Sequence, residues 1–163
     1  MEIRLATEDD WPRIIEIYNQ GVDDGYCTAD TEHISLESRK DWFTTHRDQR
    51  YPLLVMIDQN KVAGWSSLSP FRPGRKALAK TVEISYYLDR DCRGMGLGKT
   101  LMKTTIDFAR KIGHQHLFAI LLEINNISVK LLEKYGFERW GAMPDVADFG
   151  SKRSGLLIYG RKI

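Results

Sequence analysis

The sequence predicts an α/β domain, more closely an α+β one, with a mixed central sheet of six to seven strands and helices on both faces. Three observations support this fold class. Strand-like and helix-like segments interleave, two early strand-like runs are separated by a short turn, and a glycine-rich loop joins a strand to the longest helical segment. No linker or low-complexity tract divides the 163 residues, so we expect a single domain spanning 1–163.

The first third of the chain predicts a strand and two helices. "EIRLA" alternates like a short strand, and Thr7 with Asp10 forms a helix start signal. Apolar side chains then recur at helical spacing, at Trp11, Ile14, Ile15 and Tyr18. We expect "GVDDGYCTADTEH" to be a polar loop that starts at Gly21, and a second helix to begin near Ser35 with Leu36, Trp42 and Phe43 pointing inward.

The middle of the chain predicts sheet followed by a long helix. "YPLLVMID", the turn "QNK" and "VAGWSSLSPF" read as a hairpin, and "TVEISYYLD" reads as a strand after a basic loop. A helix then extends from Leu97 to about Ile112, where Gly113 is placed to end it.

The last third predicts a buried strand, a short helix and two more strands. "HLFAILLE" is a continuous apolar run, and "NNISVKLLEKYGF" combines an Asn cap, a helical segment and a Gly stop. The final strands lie near "FERWGAM" and "GLLIYGRK".

Composition argues against several classes of protein. A charged fraction of 28%, a hydrophobic fraction of 42% and a net charge of +2 are typical of an ordinary globule, so no nucleic acid partner is expected. Runs such as "LFAILL" are too short to span a bilayer, and no signal-like segment opens the sequence, so we expect no membrane partner and a cytoplasmic location. Cys27 and Cys92 indicate reduced thiols, and His114 with His116 lacks a second ligand pair, so no metal is expected.

The stretch "RGMGLGKT", Arg93 to Thr100, has the composition of a phosphate-binding loop. It is not a nucleoside-triphosphatase loop, because Arg93 stands where the first glycine is required. It is not a dinucleotide fingerprint either, because Lys99 stands where the third glycine is required. Alternating glycines before a helix still favour a pyrophosphate ligand, with a turn used only for packing as the alternative.

In order and spacing, several segments resemble the GNAT superfamily of N-acetyltransferases, and within it the phosphinothricin and methionine sulfoximine N-acetyltransferases. These segments are "IRLATEDD", "IYN", "YPLLV", "TVEISYYL", "RGMGLGKTLM" and "NNISVKLLEKYGF". The resemblance implies the GNAT-type acyl-CoA N-acyltransferase fold, acetyl-CoA as co-substrate and a homodimer. It also implies acetylation of a small amino acid or analogue by direct attack of the amine on the thioester.

Other functions stay open at this level. The acceptor is alternatively a protein N-terminus, a polyamine or an aminoglycoside. A non-catalytic acyl-CoA-binding sensor is the remaining alternative.

The resemblance assigns residues to acetyl-CoA. The strand before the glycine loop splays from its neighbour in such enzymes, and its exposed backbone groups hold the pantetheine arm and the thioester carbonyl. The residues carried over are Tyr86, Tyr87, Leu88, Arg93, Gly94, Met95, Gly96, Leu97, Gly98, Lys99, Thr100, Asn125, Ser128 and Lys134. A helix cap is the alternative role for Asn125.

The catalytic prediction rests on Glu83, which occupies the family's general-base position. An amine that is mostly ammonium near neutral pH must lose a proton before it attacks. If the strand alternates, Glu83 shares a face with Ser85 and Tyr87. A solvated strand glutamate is the alternative. Many relatives carry a Tyr or His proton donor where this chain has Leu132, so the donor to the leaving thiolate is not identified.

Six residues are predicted to contact the amine substrate: Tyr26, Thr28, Phe71, Arg72, Arg75 and Lys76. Arg72 matches a family arginine suited to a bidentate bond with an amino-acid carboxylate, and a solvated basic loop is its alternative role. The chain ends in "GSKRSGLLIYGRKI" rather than the "G-R-W-L-D" type of strand usual in this branch, which favours a different or broader acceptor.

Overall fold

One seven-stranded sheet organises the computed structural model, which describes residues 1–163. Its strands are β1 (Glu2–Leu5), β2 (Leu53–Asp58), β3 (Lys61–Pro70), β4 (Thr81–Leu88), β5 (His116–Leu122), β6 (Glu138–Asp148) and β7 (Arg153–Lys162). They lie in the order β1-β2-β3-β4-β5-β7-β6. Only the β4–β5 pair is parallel. The predicted mixed sheet is therefore confirmed.

Helices cover both faces of the sheet, as predicted. They are α1 (Trp11–Asp24), α2 (Lys40–Thr45), α3 (Leu97–Lys111) and α4 (Asn126–Lys134). One buried cluster joins α1 and α2 to the sheet through Ile17 and Phe43. A second cluster joins α3 and α4 to the opposite face through Ile106 and Leu132. No helix is both long and apolar enough to cross a membrane.

The first helix corrects the predicted loop boundary. Gly21–Asp24 are helical, and the chain leaves the helix only at Gly25, whose φ is +69°. A Cβ at Gly21 would lie 3.2 Å from the Cβ of Cys27 and 3.3 Å from the Tyr87 ring. This glycine therefore permits a close approach and does not end the helix.

The turns follow the sequence closely in one hairpin and less closely in the other. Gln59 and Asn60 both have positive φ, 47° and 62°, in the predicted turn between β2 and β3. The last hairpin is longer than predicted, because β6 continues to Asp148 through Pro144. A bulge between Met143 and Ala147 accommodates this proline, and β6 is an edge strand that can lack a donor.

Strands β4 and β5 separate partway along their length. They pair only from Thr81 to Glu83 and from His116 to Phe118. β5 continues alongside β7 to Leu122, while β4 continues alongside β3 to Leu88. The splayed strand that the family resemblance implied is confirmed, and it leaves an unpaired backbone edge beyond Glu83.

Candidate active site

The glycine loop forms an open cradle at the end of β4. Gly94 and Gly96 have φ values of +77° and +83°, and a Cβ built on either one would meet no atom within 4 Å. Helix α3 begins at Leu97 without a side-chain cap, so its first N–H groups face this open space. Lys99 and Thr100 are exposed in its first turn. Such a helix start attracts anionic groups.

Two arginines fasten the cradle to the end of α1. Arg93 bonds the carboxylate of Asp24 and donates through Nε to the carbonyl of Leu88 at 3.2 Å. Arg90 donates to the other oxygen of Asp24 at 2.8 Å. Burial opposes ionisation of Asp24, but these hydrogen bonds lower the pKa of its carboxyl below the usual value. The guanidinium of Arg93 is thus engaged within the protein, where it orders the loop.

Helix α4 borders the splayed region from the other side. Asn125 is buried and caps the helix by accepting from the N–H of Ser128 at 3.1 Å. The capping role of Asn125 is therefore present. Leu132 is fully buried in the core, and Lys134 is exposed in the last turn.

A cavity of about 340 Å³ opens on the α1 side of the sheet. Glu83, Ser85 and Tyr87 line it together, which confirms the predicted alternation of β4. Most of the remaining lining is apolar, and comes from Ile14, Ile15, Ala29, Ile34, Trp42, Trp65, Ile120, Leu121, Leu122 and Leu156. Burial raises the pKa of Glu83 above its usual value. The carboxyl is thereby moved toward the range of a useful base.

A polar network closes one wall of this cavity. Tyr18 donates to Asp30 at 2.6 Å, and its oxygen lies 2.7 Å from the hydroxyl of Thr28. Arg39 donates to the same Asp30 oxygen at 2.9 Å and lies over the Tyr18 ring. Burial raises the pKa of Tyr18 to about 12, so it remains a donor. Arg39, Tyr18 and Thr28 all line the cavity.

The structure separates the predicted amine-binding residues. Thr28 lines the cavity, whereas Tyr26, Phe71, Arg72, Arg75 and Lys76 are outside its lining. Tyr26 is half-buried beside Cys27. Phe71 packs edge-to-face on Phe118 at 5.0 Å, and Arg72 lies 5.7 Å above the Phe71 ring. Arg75 and Lys76 are exposed.

Sequence reasoning missed several residues of the cavity. Arg39 lines the cavity and lies in the predicted second helix, and Asp30, which accepts its hydrogen bond, lies in the polar loop before that helix. Neither position attracts notice in the sequence. Trp65 stacks on Tyr87 at 4.8 Å and meets Trp42 edge-on at 5.8 Å. Their one available signal was the density of aromatic side chains on the predicted second helix and the neighbouring strands. No group of three or more His, Cys, Asp or Glu side chains is placed to hold a metal ion.

The cradle, the unpaired strand edge and the adjoining cavity match those of a known family. The acetyltransferase (GNAT) family model matches residues 11–137, and the chain belongs to that family. It is an N-acetyltransferase, as the sequence resemblance implied.

Two relatives and one solved structure are similar to this protein over most of its length. The chain is 40% identical over 164 residues to YwnH of Bacillus subtilis (strain 168), which carries a provisional assignment as a phosphinothricin acetyltransferase; the match covers 100% of this chain and 99% of that protein. It is 37% identical over 145 residues to the L-methionine sulfoximine/L-methionine sulfone acetyltransferase of Pseudomonas aeruginosa (strain PAO1), covering 88% and 84% of the two chains. The crystal structure of a Sinorhizobium meliloti phosphinothricin acetyltransferase in complex with acetyl-CoA superposes with a TM-score of 0.92 at 28% identity, over 99% of this chain and 88% of that one.

The residues present fit acetyl-CoA. The cradle offers N–H groups and open space for a pyrophosphate, and the unpaired edge of β4 offers backbone groups for an extended arm. The carboxyl of Glu83 lies where this edge begins and also lines the cavity. A thioester and an amine can therefore meet beside it.

Proposed function

We propose that this protein transfers the acetyl group of acetyl-CoA to the amine of a small amino acid or analogue, of the methionine sulfoximine or phosphinothricin type. The main observation in favour of this function is the position of the Glu83 carboxyl, which is largely buried where the unpaired β4 edge meets the apolar cavity. The substrates in the relatives' names support this acceptor class. The unit that carries the activity is one domain spanning residues 1–163.

Glu83 is the general base in this proposal. Its carboxylate takes the proton of the bound ammonium, directly or through a water, so that the neutral amine attacks the thioester. The raised pKa of Glu83 supports this role, because a base works best when its pKa approaches the working pH. Its apolar neighbours along the cavity wall maintain that shift.

Acetyl-CoA supplies the activated acetyl group and is held by two parts of the chain. The N–H groups from Gly94 to Gly98 bind the pyrophosphate, and Lys99 and Thr100 add a charge and a hydroxyl. The unpaired backbone of Tyr86, Tyr87 and Leu88 holds the pantetheine arm and polarises the thioester carbonyl. Met95, Leu97, Asn125, Ser128 and Lys134 border this path, and Arg93 orders the loop through Asp24.

The acceptor's carboxylate needs a cationic partner, and two arginines are candidates. Arg39 lines the cavity itself, so we propose it as the group that contacts the carboxylate, in exchange for part of its bond to Asp30. Arg72 remains the candidate carried over from the family, with Phe71, Arg75 and Lys76 in the same loop. Thr28 lines the cavity and Tyr26 lies just before it in the chain, so both are proposed to shape the amine pocket.

We further propose a cytoplasmic homodimer. The edge strand β6 exposes Trp140, Met143 and Val146, and such side chains on an edge strand favour burial against a second copy. Cys27 and Cys92 are free thiols, which agrees with a reducing compartment.

The test is release of the CoA thiol from acetyl-CoA, with wild type and Glu83→Gln side by side. The panel holds methionine sulfoximine, phosphinothricin, ordinary amino acids, polyamines, an aminoglycoside and short peptides. We expect turnover confined to the amino acids and their analogues and lost in the variant. Turnover only of polyamines, the aminoglycoside or peptides would contradict the proposed acceptor class, and binding of acetyl-CoA without any turnover would contradict catalysis.

A further inference from the structure

Tyr86 carries a buried hydroxyl group that makes no hydrogen bond of good geometry within the protein, although the Ser128 side chain lies beside it. The residue pairs in register with Ser66 of β3, whose hydroxyl bonds Thr105 of α3 at 2.6 Å. Tyr86 therefore points to the sheet face covered by α3 and α4, away from the acceptor cavity. Its ring packs against the buried cluster that contains Leu132.

An unpaired buried hydroxyl destabilises a folded protein, and phenylalanine would fill the same space without that cost. The two other unpaired buried atoms, Trp65 Nε1 and Ser67 Oγ, belong to β3, which has strand neighbours on both sides. Tyr86 lies on β4 beyond Glu83, where β5 has separated and one strand edge is unpaired. Its hydroxyl is thus in the part of the sheet that a ligand is proposed to complete.

The position of Tyr86 along β4 is close to where the thioester of bound acetyl-CoA is expected. This step rests on the proposed function, in which Gly94–Gly98 binds the pyrophosphate and Glu83 meets the amine. Tyr86 lies on β4 between Glu83 and the start of the loop, and packs against the cluster under α3 and α4. A thioester with its acetyl carbon within reach of an amine beside Glu83 would have its sulfur near that stretch, where Tyr86 would contact it.

We propose that the Tyr86 hydroxyl donates a hydrogen bond to the thioester sulfur and stabilises the thiolate as it leaves. The amine nitrogen forms a bond to the acetyl carbon, and the carbon–sulfur bond breaks with its electron pair on sulfur. Glu83 already holds the proton of the former ammonium, and the attacking nitrogen gives its second proton to water as the amide forms. Tyr86 keeps its own proton throughout, and water later protonates the released thiolate.

Three further observations support Tyr86 over its neighbours. Burial raises the pKa of Tyr86 to about 12, against an opposing contribution from the Ser128 side chain, so the phenol remains a donor near neutral pH. Tyr135, the other phenol beside α4, already donates to the carbonyl of Lys99 at 2.7 Å. Leu132 has no polar atom to offer and is fully buried.

The deciding experiment compares wild type, Tyr86→Phe and the matched control Tyr135→Phe in binary complexes with CoA. The ultraviolet absorbance of the thiolate is titrated against pH. We expect the pKa of the bound thiol to be about one unit higher in Tyr86→Phe than in wild type, because a hydrogen bond to a charged acceptor favours the ionised form. Tyr135→Phe should match wild type. Equal thiol pKa values in all three proteins would overturn the role of Tyr86.

Turnover gives the second readout. Tyr86→Phe should lower kcat roughly 10-fold or more with the KM for acetyl-CoA unchanged, while Tyr135→Phe should retain the wild-type kcat. A kcat within twofold of wild type would contradict the proposal. If wild type acetylates no amine, the proposed function fails, and the thiol titration still decides whether Tyr86 contacts the sulfur. Tyr86→Phe removes only an unpaired hydroxyl, so it should fold, which its melting curve checks.

Discussion

Gly96→Ala tests the pyrophosphate cradle with a change of one methyl group. Gly96 has a φ of +83°, and an added Cβ would meet no atom within 4 Å, so the substitution causes backbone strain without a steric clash. An alanine in the left-handed region costs about 1–2 kcal/mol. For a domain of this size, that corresponds to a fall in Tm of roughly 2–8 °C.

Gly150→Ala is a matched control at the turn between β6 and β7. Gly150 has a φ of +78° and likewise no atom within 4 Å of an added Cβ. The two variants therefore carry the same backbone strain in open surroundings. Only Gly96 lies at the start of α3, so only its methyl would occupy the space in which the phosphate is proposed to bind. A lost hydrogen bond to a charged group costs about 1.5–3 kcal/mol, so the Kd for acetyl-CoA should rise roughly 10- to 150-fold.

Isothermal titration of acetyl-CoA into wild type and the two variants, with a melting curve for each, measures both effects. The expected pattern is a similar fall in Tm for both variants and a weaker Kd for Gly96→Ala alone. Wild-type affinity in Gly96→Ala would refute the cradle. An equal loss of affinity in Gly150→Ala would attribute the effect to general destabilisation.

Three further variants give testable predictions. Glu83→Gln should lower kcat roughly 100- to 10,000-fold and remove the acid limb of the pH–rate profile; a retained limb would exclude Glu83 as the base. Burial raises the pKa of Glu83, so the folded protein loses stability when this carboxyl ionises, as pH rises through the raised pKa. Glu83→Gln should therefore have a higher Tm than wild type at pH 8 and the same Tm at pH 4. Arg39→Ala should raise the KM for methionine more than for its decarboxylated amine, with Arg72→Ala as the comparison; equal effects on both acceptors would remove the carboxylate role. Val146→Asp should shift sedimentation from dimer toward monomer, and an unchanged profile would place any dimer contact elsewhere.

Much of the fold could be predicted because its signals are local. Period-two alternation along β4 correctly placed Glu83, Ser85 and Tyr87 on one face, since successive side chains of a strand point in opposite directions. The turn at Gln59 and Asn60 was predicted equally well, because turn preferences depend on adjacent residues. Gly21 was wrongly predicted to begin a loop, because its role depends on contact with the distant Tyr87, which no local pattern reveals.

The cavity wall shows where local signals end. Arg39 lies nine positions after Asp30 and Asp30 twelve after Tyr18, and the three residues belong to two helices and the loop between them, so no single period connects them. Their meeting depends on how the chain between α1 and α2 packs over the sheet. The predicted basic loop around Arg72 was conspicuous in the sequence, yet it is outside the lining of the cavity.

The sequence by itself determined the mixed sheet, the glycine loop before the longest helix and the strand that presents Glu83, because propensity, alternation and helix start signals are properties of neighbouring residues. Only the tertiary structure decided that Arg93 turns to Asp24, 69 positions away, and that Glu83 is the residue after which β4 loses its β5 partner. It also decided that the hydroxyl of Tyr86 is buried without a partner. Each of these depends on the free energy of contacts between distant segments, and those contacts exist only once the sheet and its helices have packed.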